Sequence, residues 1–178
     1  DADQMLATFA ALLRIARLEA GGAGAPAASV DLAGVVEDAL DLYRAPGEEA
    51  GIAFEAELNP ATVAGDRDLL FQMVANLLDN ALKFAPPGSS VQVRTQCLAG
   101  KSRLLVSDRG PGVPAAERER VFDRFYRVER SRHAPGSGLG LALVKAVVEH
   151  HRGTIRLEDA TPGLRVVAEL PAADSRTP

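Results

Sequence analysis

Met5, Leu6, Phe9, Leu12, Leu13 and Ala16 fall at three- and four-residue spacing, which predicts an amphipathic helix over residues 2–20. The run GGAGAPAAS, Gly21–Ser29, breaks that helix and is the best candidate boundary in the chain. Leu32, Val35, Val36, Ala39 and Leu42 predict a second helix over 32–45. Alternation in GIAFEAEL predicts a strand over Gly51–Leu58, with a short strand in ATVAGD after it. Asp66 is placed to cap a long helix that runs through Phe84, and PPGSS ends it. SVQVRTQCL and KSRLLVSD form two strands about the turn AGK. Roughly thirty residues without regular pattern follow, longer than an ordinary connection and typical of functional loops. A helix over about 139–151 comes next, then the strands GTIRLED and LRVVAEL joined by ATPG. The tail PAADSRTP, 171–178, is expected to be disordered. No internal repeat is visible. The elements sum to an α+β fold: a two-layer α/β sandwich, a mixed sheet with about three helices on one face, plus the N-terminal amphipathic helix.

Composition narrows the partners. At 178 residues the chain has room for one domain and a small appendage, and 47% hydrophobic content is globular. A net charge of −4 argues against nucleic acid as the main partner. Cys97 is the only cysteine, which excludes an intrachain disulfide and a cysteine zinc site. His150 and His151 are adjacent and diverge on a helix, so a metal pair is not expected. No apolar run approaches the ~20 residues of a membrane span, and no signal peptide is visible. The first residue is Asp1 rather than Met, which gives the expectation of a piece cut from a longer chain.

Three stretches carry candidate chemistry. The first is Gly136-Ser137-Gly138-Leu139-Gly140, which opens straight into the last helix as phosphate-holding loops do. It is not a Walker loop: Leu141 stands where the second glycine belongs, and no Lys-Ser/Thr follows. The dinucleotide fingerprint fails at the same leucine, and no strand precedes the loop. A plain helix entry with flexible glycines remains the alternative. The second stretch is FQMVANLLDNALKF, Phe71–Phe84. Leu70, Met73, Val74, Leu77, Leu78 and Ala81 make one apolar stripe, and Asn76, Asn80 and Lys83 line a neighbouring one. Asparagine is a poor mid-helix residue. An amide oxygen suits Mg²⁺, and a lysine beside it can meet phosphate oxygens, although a solvated polar face would look the same. The third stretch is VSDRGPGVP, Val106–Pro114. A carboxylate at a strand end, Asp108, can accept from an exocyclic amine such as adenine's while Gly110 and Gly112 let a flat base approach; an Asx turn is the plainer reading.

In their order and spacing, NLLDNALKF, SDRGPGVP, VFDRFYRVERS and GSGLGLALVKAVVEHHRGTI resemble the ATP-binding catalytic domain of bacterial sensor histidine kinases over about residues 29–170. The resemblance implies the Bergerat fold, shared with gyrase, MutL and heat-shock chaperone ATPases. It implies a role for each box. Asn76, Asn80 and Lys83 match the N box, with Asn80 as Mg²⁺ ligand and Lys83 near the phosphates. Asp108, Gly110 and Gly112 match the first glycine box, with Asp108 on the adenine amine. Phe122 and Phe125 match the F box. Gly136, Gly138 and Gly140, with Ser137, Leu139 and Leu141 among them, match the second glycine box at the hinge of an ATP lid. That lid would run over about Val113–Pro135, where Arg127 and Arg132 match positions that bring a cation to the phosphates. Asn76, Lys83 and Arg127 are the expected catalytic groups, and ATP and Mg²⁺ the expected cofactors.

The phosphoacceptor stretch of such kinases, a His-Glu-x-x-x-Pro-like motif, is missing; the histidines are His133, His150 and His151. Residues 1–20 resemble the second helix of the dimerisation hairpin, 21–31 a linker, and 32–170 the catalytic domain. The expected function is transfer of the ATP γ-phosphoryl group to a histidine on a hairpin outside this chain, for relay to a response regulator. On that expectation the chain alone does not autophosphorylate, pairs with another copy through residues 5–18 or docks that helix on its own domain, and belongs to the cytosolic part of its parent. A water-activating ATPase of the gyrase or MutL kind needs a carboxylate base where Asn76 stands, and an amide cannot take that proton. A non-catalytic nucleotide-binding or dimerisation module is the other alternative.

Overall fold

The computed structural model describes residues 2–21, 28–128 and 136–173. The elements in order are α1 (Ala2–Glu19), β1 (Ala28–Asp31), α2 (Leu32–Glu49), β2 (Ala53–Leu58), β3 (Thr62–Gly65), α3 (Arg67–Phe84), β4 (Ser90–Leu98), β5 (Lys101–Ser107), α4 (Gly140–His150), β6 (Thr154–Asp159) and β7 (Leu164–Pro171). Short 3-10 turns occupy Ala115–Glu117 and Arg120–Phe122. The main sheet has the order β2-β4-β5-β7-β6, with β2 parallel to β4 and the other neighbours antiparallel. It is the α+β layer arrangement that the pattern predicts, in the form of the Bergerat fold.

Alternation decides which face is covered. Val91, Val93 and Thr95 on β4, Ser102, Leu104 and Val106 on β5, and Val166, Ala168 and Leu170 on β7 point into the helical layer and are buried. Leu70, Met73, Val74, Leu77 and Leu78 of α3 meet them, flanked by α2 and α4. The opposite face is a charged lattice. Glu169 pairs with Lys101 at 3.4 Å, Arg103 at 3.0 Å and Arg156 at 3.1 Å. The Arg156 hydrogen bond, foremost, holds its carboxyl below the ordinary value.

Two differences from the sequence reading have physical causes. Helix α2 does not stop at residue 45 but continues through Pro46 to Glu49. Residues 28–31, read as the end of a linker, form β1, which pairs with β3 in a separate two-stranded sheet. Asp31 ends that strand and accepts from Ala33 N–H at 3.1 Å, so one residue closes β1 and caps α2. Helix α1 is amphipathic as expected, but it has two apolar faces. Ile15 is buried at 1% exposure and Ala11, Leu12 and Leu18 pack beside it, where α1 lies against α4. Met5, Leu6, Phe9 and Leu13 stay exposed on the other.

Asp66 caps α3 as predicted, its carboxylate accepting from Asp68 N–H at 2.8 Å and Leu69 N–H at 3.1 Å. Its own N–H donates to His151 Nε2 at 3.1 Å, while His151 Nδ1 lies 2.7 Å from the Val147 carbonyl oxygen. The ring is therefore neutral, with its proton on Nδ1 and its Nε2 lone pair taken. Burial, above all, pushes its pKa below the ordinary histidine value. A histidine whose folded-state pKa is lowered binds its proton more weakly in the native state, so stability is full above the unfolded value and falls as pH drops below it. Stability should therefore decline from about pH 6.5 downward. Urea unfolding across pH 5–8 checks this; His151→Gln, which carries no charge at any pH, should lose that part of the slope.

Candidate functional site

One cleft gathers most of the residues singled out from the sequence. It lies between α3, the loop after β5, and the start of α4. Asn76, Asn80 and Lys83 line it from α3 because i, i+4 and i+7 bring them to one stripe beside the buried one. Asn76 Nδ2 donates to the Gln72 carbonyl at 3.0 Å, which leaves its Oδ1 directed toward the cleft side near Gly140. The Asn80 side chain has no hydrogen-bond partner among the described residues. The Lys83 ammonium is held below its ordinary value, first by burial and then by Arg127 across the cleft. Two cations sharing a partly desolvated space favour an anion between them.

The far end of the cleft is built on Asp108, just past β5. It is 6% exposed, and its Oδ1 accepts from Gly110 N–H at 2.7 Å. Its backbone N–H donates to the Leu164 carbonyl at 3.0 Å, which ties it to the first residue of β7. Burial, the largest cause, raises its pKa above the usual carboxylate value, against the opposing pull of the Gly110 N–H. Gly112, Pro111, Val113 and Leu164 complete an apolar wall around this single acceptor. Gly110 does not line the cleft; its N–H orients Asp108 from behind. Behind that in turn stands Gly163, in the left-handed region at φ +107°. A Cβ there would lie 2.7 Å from the Asp108 carbonyl carbon and 2.8 Å from Arg109 Cα.

At the other end α4 starts at Gly140 with Leu139 as its N-cap, and no side chain caps it. Leucine has no oxygen to offer, so the first N–H groups of α4 face the cleft without a side-chain acceptor. Gly136, Ser137, Gly138, Gly140 and Leu141 line that end, and Leu139 is buried at 2% exposure beneath it. An uncapped helix terminus flanked by Lys83 and Arg127 has the chemistry to hold an anion.

The loop's two ends are fastened together. Phe125 N–H donates to the Gly138 carbonyl at 3.0 Å. Phe125 sits at φ +63°, rare for a bulky residue, and a Cβ on Gly138 would lie 2.9 Å from Phe125 Cα. Arg127 Nη1 donates to the Gly136 carbonyl at 3.3 Å. Just inside this closure, Tyr126 bonds Glu117 through its hydroxyl and Arg120 stands 4.6 Å over its ring. The stretch from Val113 to Phe125, read from sequence as part of one long lid, is thus tied to the body of the fold. Arg132 and the lid residues 129–135, His133 included, lie outside the described residues.

Some predicted residues do not reach the cleft. Phe122 packs against the core with Lys145 6.0 Å from its ring, and Phe125 is 54% exposed. In their place Val121, Tyr126 and Val128 line the cleft. Sequence reasoning missed these, and missed Asp79, Phe84 and Gly163. The signal for Asp79 was its position beside Asn80; the signal for Gly163 was the TPG turn opening β7.

Similarity to known proteins agrees with this geometry. The family described as histidine kinase-, DNA gyrase B- and HSP90-like ATPase matches residues 65–174, more than half of the chain. The chain is similar to the signal transduction histidine-protein kinase/phosphatase MprB of Mycobacterium tuberculosis, 49% identical over 135 residues, which are 75% of this chain and 26% of that protein. It thus spans about a quarter of the length of that curated relative. A solved structure of a mycobacterial sensor histidine kinase MprB superposes with a TM-score of 0.74 at 40% identity, covering 82% of this chain and 97% of that one. Full-length ShkA, solved in complex with AMPPNP, superposes with a TM-score of 0.83 at 29% identity over 96% of this chain and 36% of that one. With a cleft that pairs a buried carboxylate at one end with a cation-flanked helix terminus at the other, the chain belongs to the histidine kinase-, DNA gyrase B- and HSP90-like ATPase family, as the ATP-binding catalytic domain of a sensor histidine kinase.

Proposed function

We propose that this domain presents the γ-phosphate of Mg-ATP to a histidine on the dimerisation hairpin of its parent kinase, which passes the phosphoryl group on to a response regulator. The observation that carries the reading is the uncapped start of α4 beside Lys83 and Arg127, at the opposite end of the cleft from Asp108. Adenine lies at Asp108, its amine donating to the carboxylate, and the phosphates run toward α4. Lys83 and Arg127 balance the charge that develops on the transferring group, and the α4 N–H groups fix it. Asn76 orients rather than accepts a proton, since an amide has no basicity at neutral pH. ShkA bound to the ATP analogue AMPPNP supports the nucleotide assignment.

The donor set suits Mg²⁺. Asn80 offers an amide oxygen without a partner among the described residues, and those residues contain no cluster of three metal-ligating acids, cysteines or histidines. That fits an ion held by one or two protein oxygens together with phosphates and water. Asn80 would hold the ion, which would supply positive charge against the phosphates.

The acceptor comes from elsewhere in the parent. His150 and His151 sit at the far end of α4, about 15 Å from its start at ~1.5 Å per residue. Helix α1 serves as the hairpin's second helix, with residues 5–18 available to a second copy through the exposed Met5, Leu6 and Phe9. Residues 21–31 join it to a catalytic unit over 32–170. No helix among the described residues is long and apolar enough to cross a membrane, and the domain acts on the cytosolic side, where ATP is found.

ATP and ADP should bind more tightly than GTP, whose purine has a carbonyl where adenine has its amine. Asp108→Asn keeps the shape and should lose about 1.5–3 kcal/mol of ATP binding; equal affinity of the unaltered chain for ATP and GTP in titration calorimetry would remove Asp108 from adenine recognition. Because the Asp108 pKa is raised, ATP affinity should begin to fall at a higher pH than an ordinary carboxylate would give.

Asn80→Ala should weaken Mg-ATP binding and spare metal-free ADP. Equal losses would make Asn80 structural.

Incubated with labelled ATP, the chain alone should take up no acid-labile phosphate, whereas a supplied acceptor hairpin of the parent should be labelled weakly in trans. Base-stable label on this chain, abolished by His133→Ala, would overturn the assignment of the acceptor.

A further inference from the structure

Beside the nucleotide cleft lies a groove that the proposed chemistry leaves unused. Arg14 and Arg17 of α1 form one wall, Gln72 and Asn76 of α3 the other, with Leu143 of α4 at its base. Asn76 lines both this groove and the cleft, so the two spaces meet at its side chain. Helix α1 is held in place there by Ile15, buried among the residues of the core.

The groove holds unmatched hydrogen-bonding groups of both signs. Gln72 Oε1 is buried and has no hydrogen-bond partner among the described residues. A buried carbonyl oxygen without a donor costs about 1–3 kcal/mol. Among the described residues neither the Arg14 nor the Arg17 guanidinium has a hydrogen-bond or ion-pair partner. Surface arginines are often unpaired; these two share a groove with an orphaned acceptor and with an asparagine of the nucleotide site. Meanwhile the cations already assigned to the phosphates, Lys83 and Arg127, come from the far part of α3 and the lid. None comes from the α1 side.

Resting on the reading of the cleft as an ATP site, we infer that Arg14 and Arg17 supply a second cationic arm to it: a guanidinium from α1 reaches past Asn76 to the terminal phosphate oxygens and is oriented by donating to Gln72 Oε1. Guanidinium suits this task because its planar fork can donate to an amide oxygen and a phosphate oxygen at once. The arm makes and breaks no covalent bond. It neutralises charge on the γ-phosphoryl oxygens as they pass from ADP to the acceptor. It also makes the phosphate site depend on where α1 sits, since the arginines reach only while Ile15 keeps the helix docked.

The test separates the γ-phosphate from the rest of the nucleotide. The whole chain is titrated with AMPPNP and with ADP, each with Mg²⁺, and the two affinities are compared in Arg14→Ala, Arg17→Ala and the double variant. The double variant should lose about tenfold or more in AMPPNP affinity and keep its ADP affinity, which also reports that the domain is folded. Lysine at either position should restore part of the loss, and Gln72→Leu should reproduce a smaller loss of the same kind. Unchanged AMPPNP affinity, or equal loss of both nucleotides, would overturn the inference while leaving the ATP site intact. Failure of the unaltered chain to bind either nucleotide would overturn the proposed function and this inference with it.

Discussion

A carboxylate kept in a buried place at the end of the central strand β5 is the constraint on which the site rests. Taking Asp108 out of water is unfavourable unless hydrogen bonds replace its hydration. The fold provides one from Gly110 N–H and anchors the residue's own N–H to Leu164. That anchor exists because β5 lies between β4 and β7, and because Gly163 has no side chain to push the β7 turn away. Position in the sheet, turn geometry and the placing of this buried carboxylate are thus one arrangement. A displaced β7 turn would move Asp108 without touching a residue at the α4 end of the cleft.

Helix α3 joins the two ends of the site. Its apolar stripe fixes its rotation against β4 and β5, and the same rotation presents Asn76, Asn80 and Lys83 to the cleft. The packing that stabilises the domain therefore also sets the direction in which these three side chains face the cleft. His151 extends this linkage, since the N-terminus of α3 leans on the C-terminus of α4 through its ring.

The parts legible in the sequence are those written in local spacing. Periodicity gave α3 and its two stripes, Asp66 announced its cap, and the order of asparagine, aspartate and glycine boxes pointed to the nucleotide. The remainder depends on contacts between distant segments. Val30 pairs with Val63 across the chain, so β1 carries no signal in a stretch of alanine and serine. Gly163 matters because it passes behind Asp108, which no neighbouring residue reveals. Ile15, not the exposed Leu6 or Phe9, anchors α1, because the choice between its two apolar faces is made by α4. Phe122 and Phe125 are visible as a motif, but the tight turn at Phe125 gives the place in the cleft to Tyr126.

The hydrogen bond between Phe125 and Gly138 holds together two residues that the chain order separates by twelve others. The entropy of closing such a loop rises only slowly with length, by about 0.6 kcal/mol for each doubling. Added length between these two residues therefore costs the fold little, so long as Tyr126 keeps Glu117 and Arg120 and the cleft keeps its lining at Arg127 and Gly136.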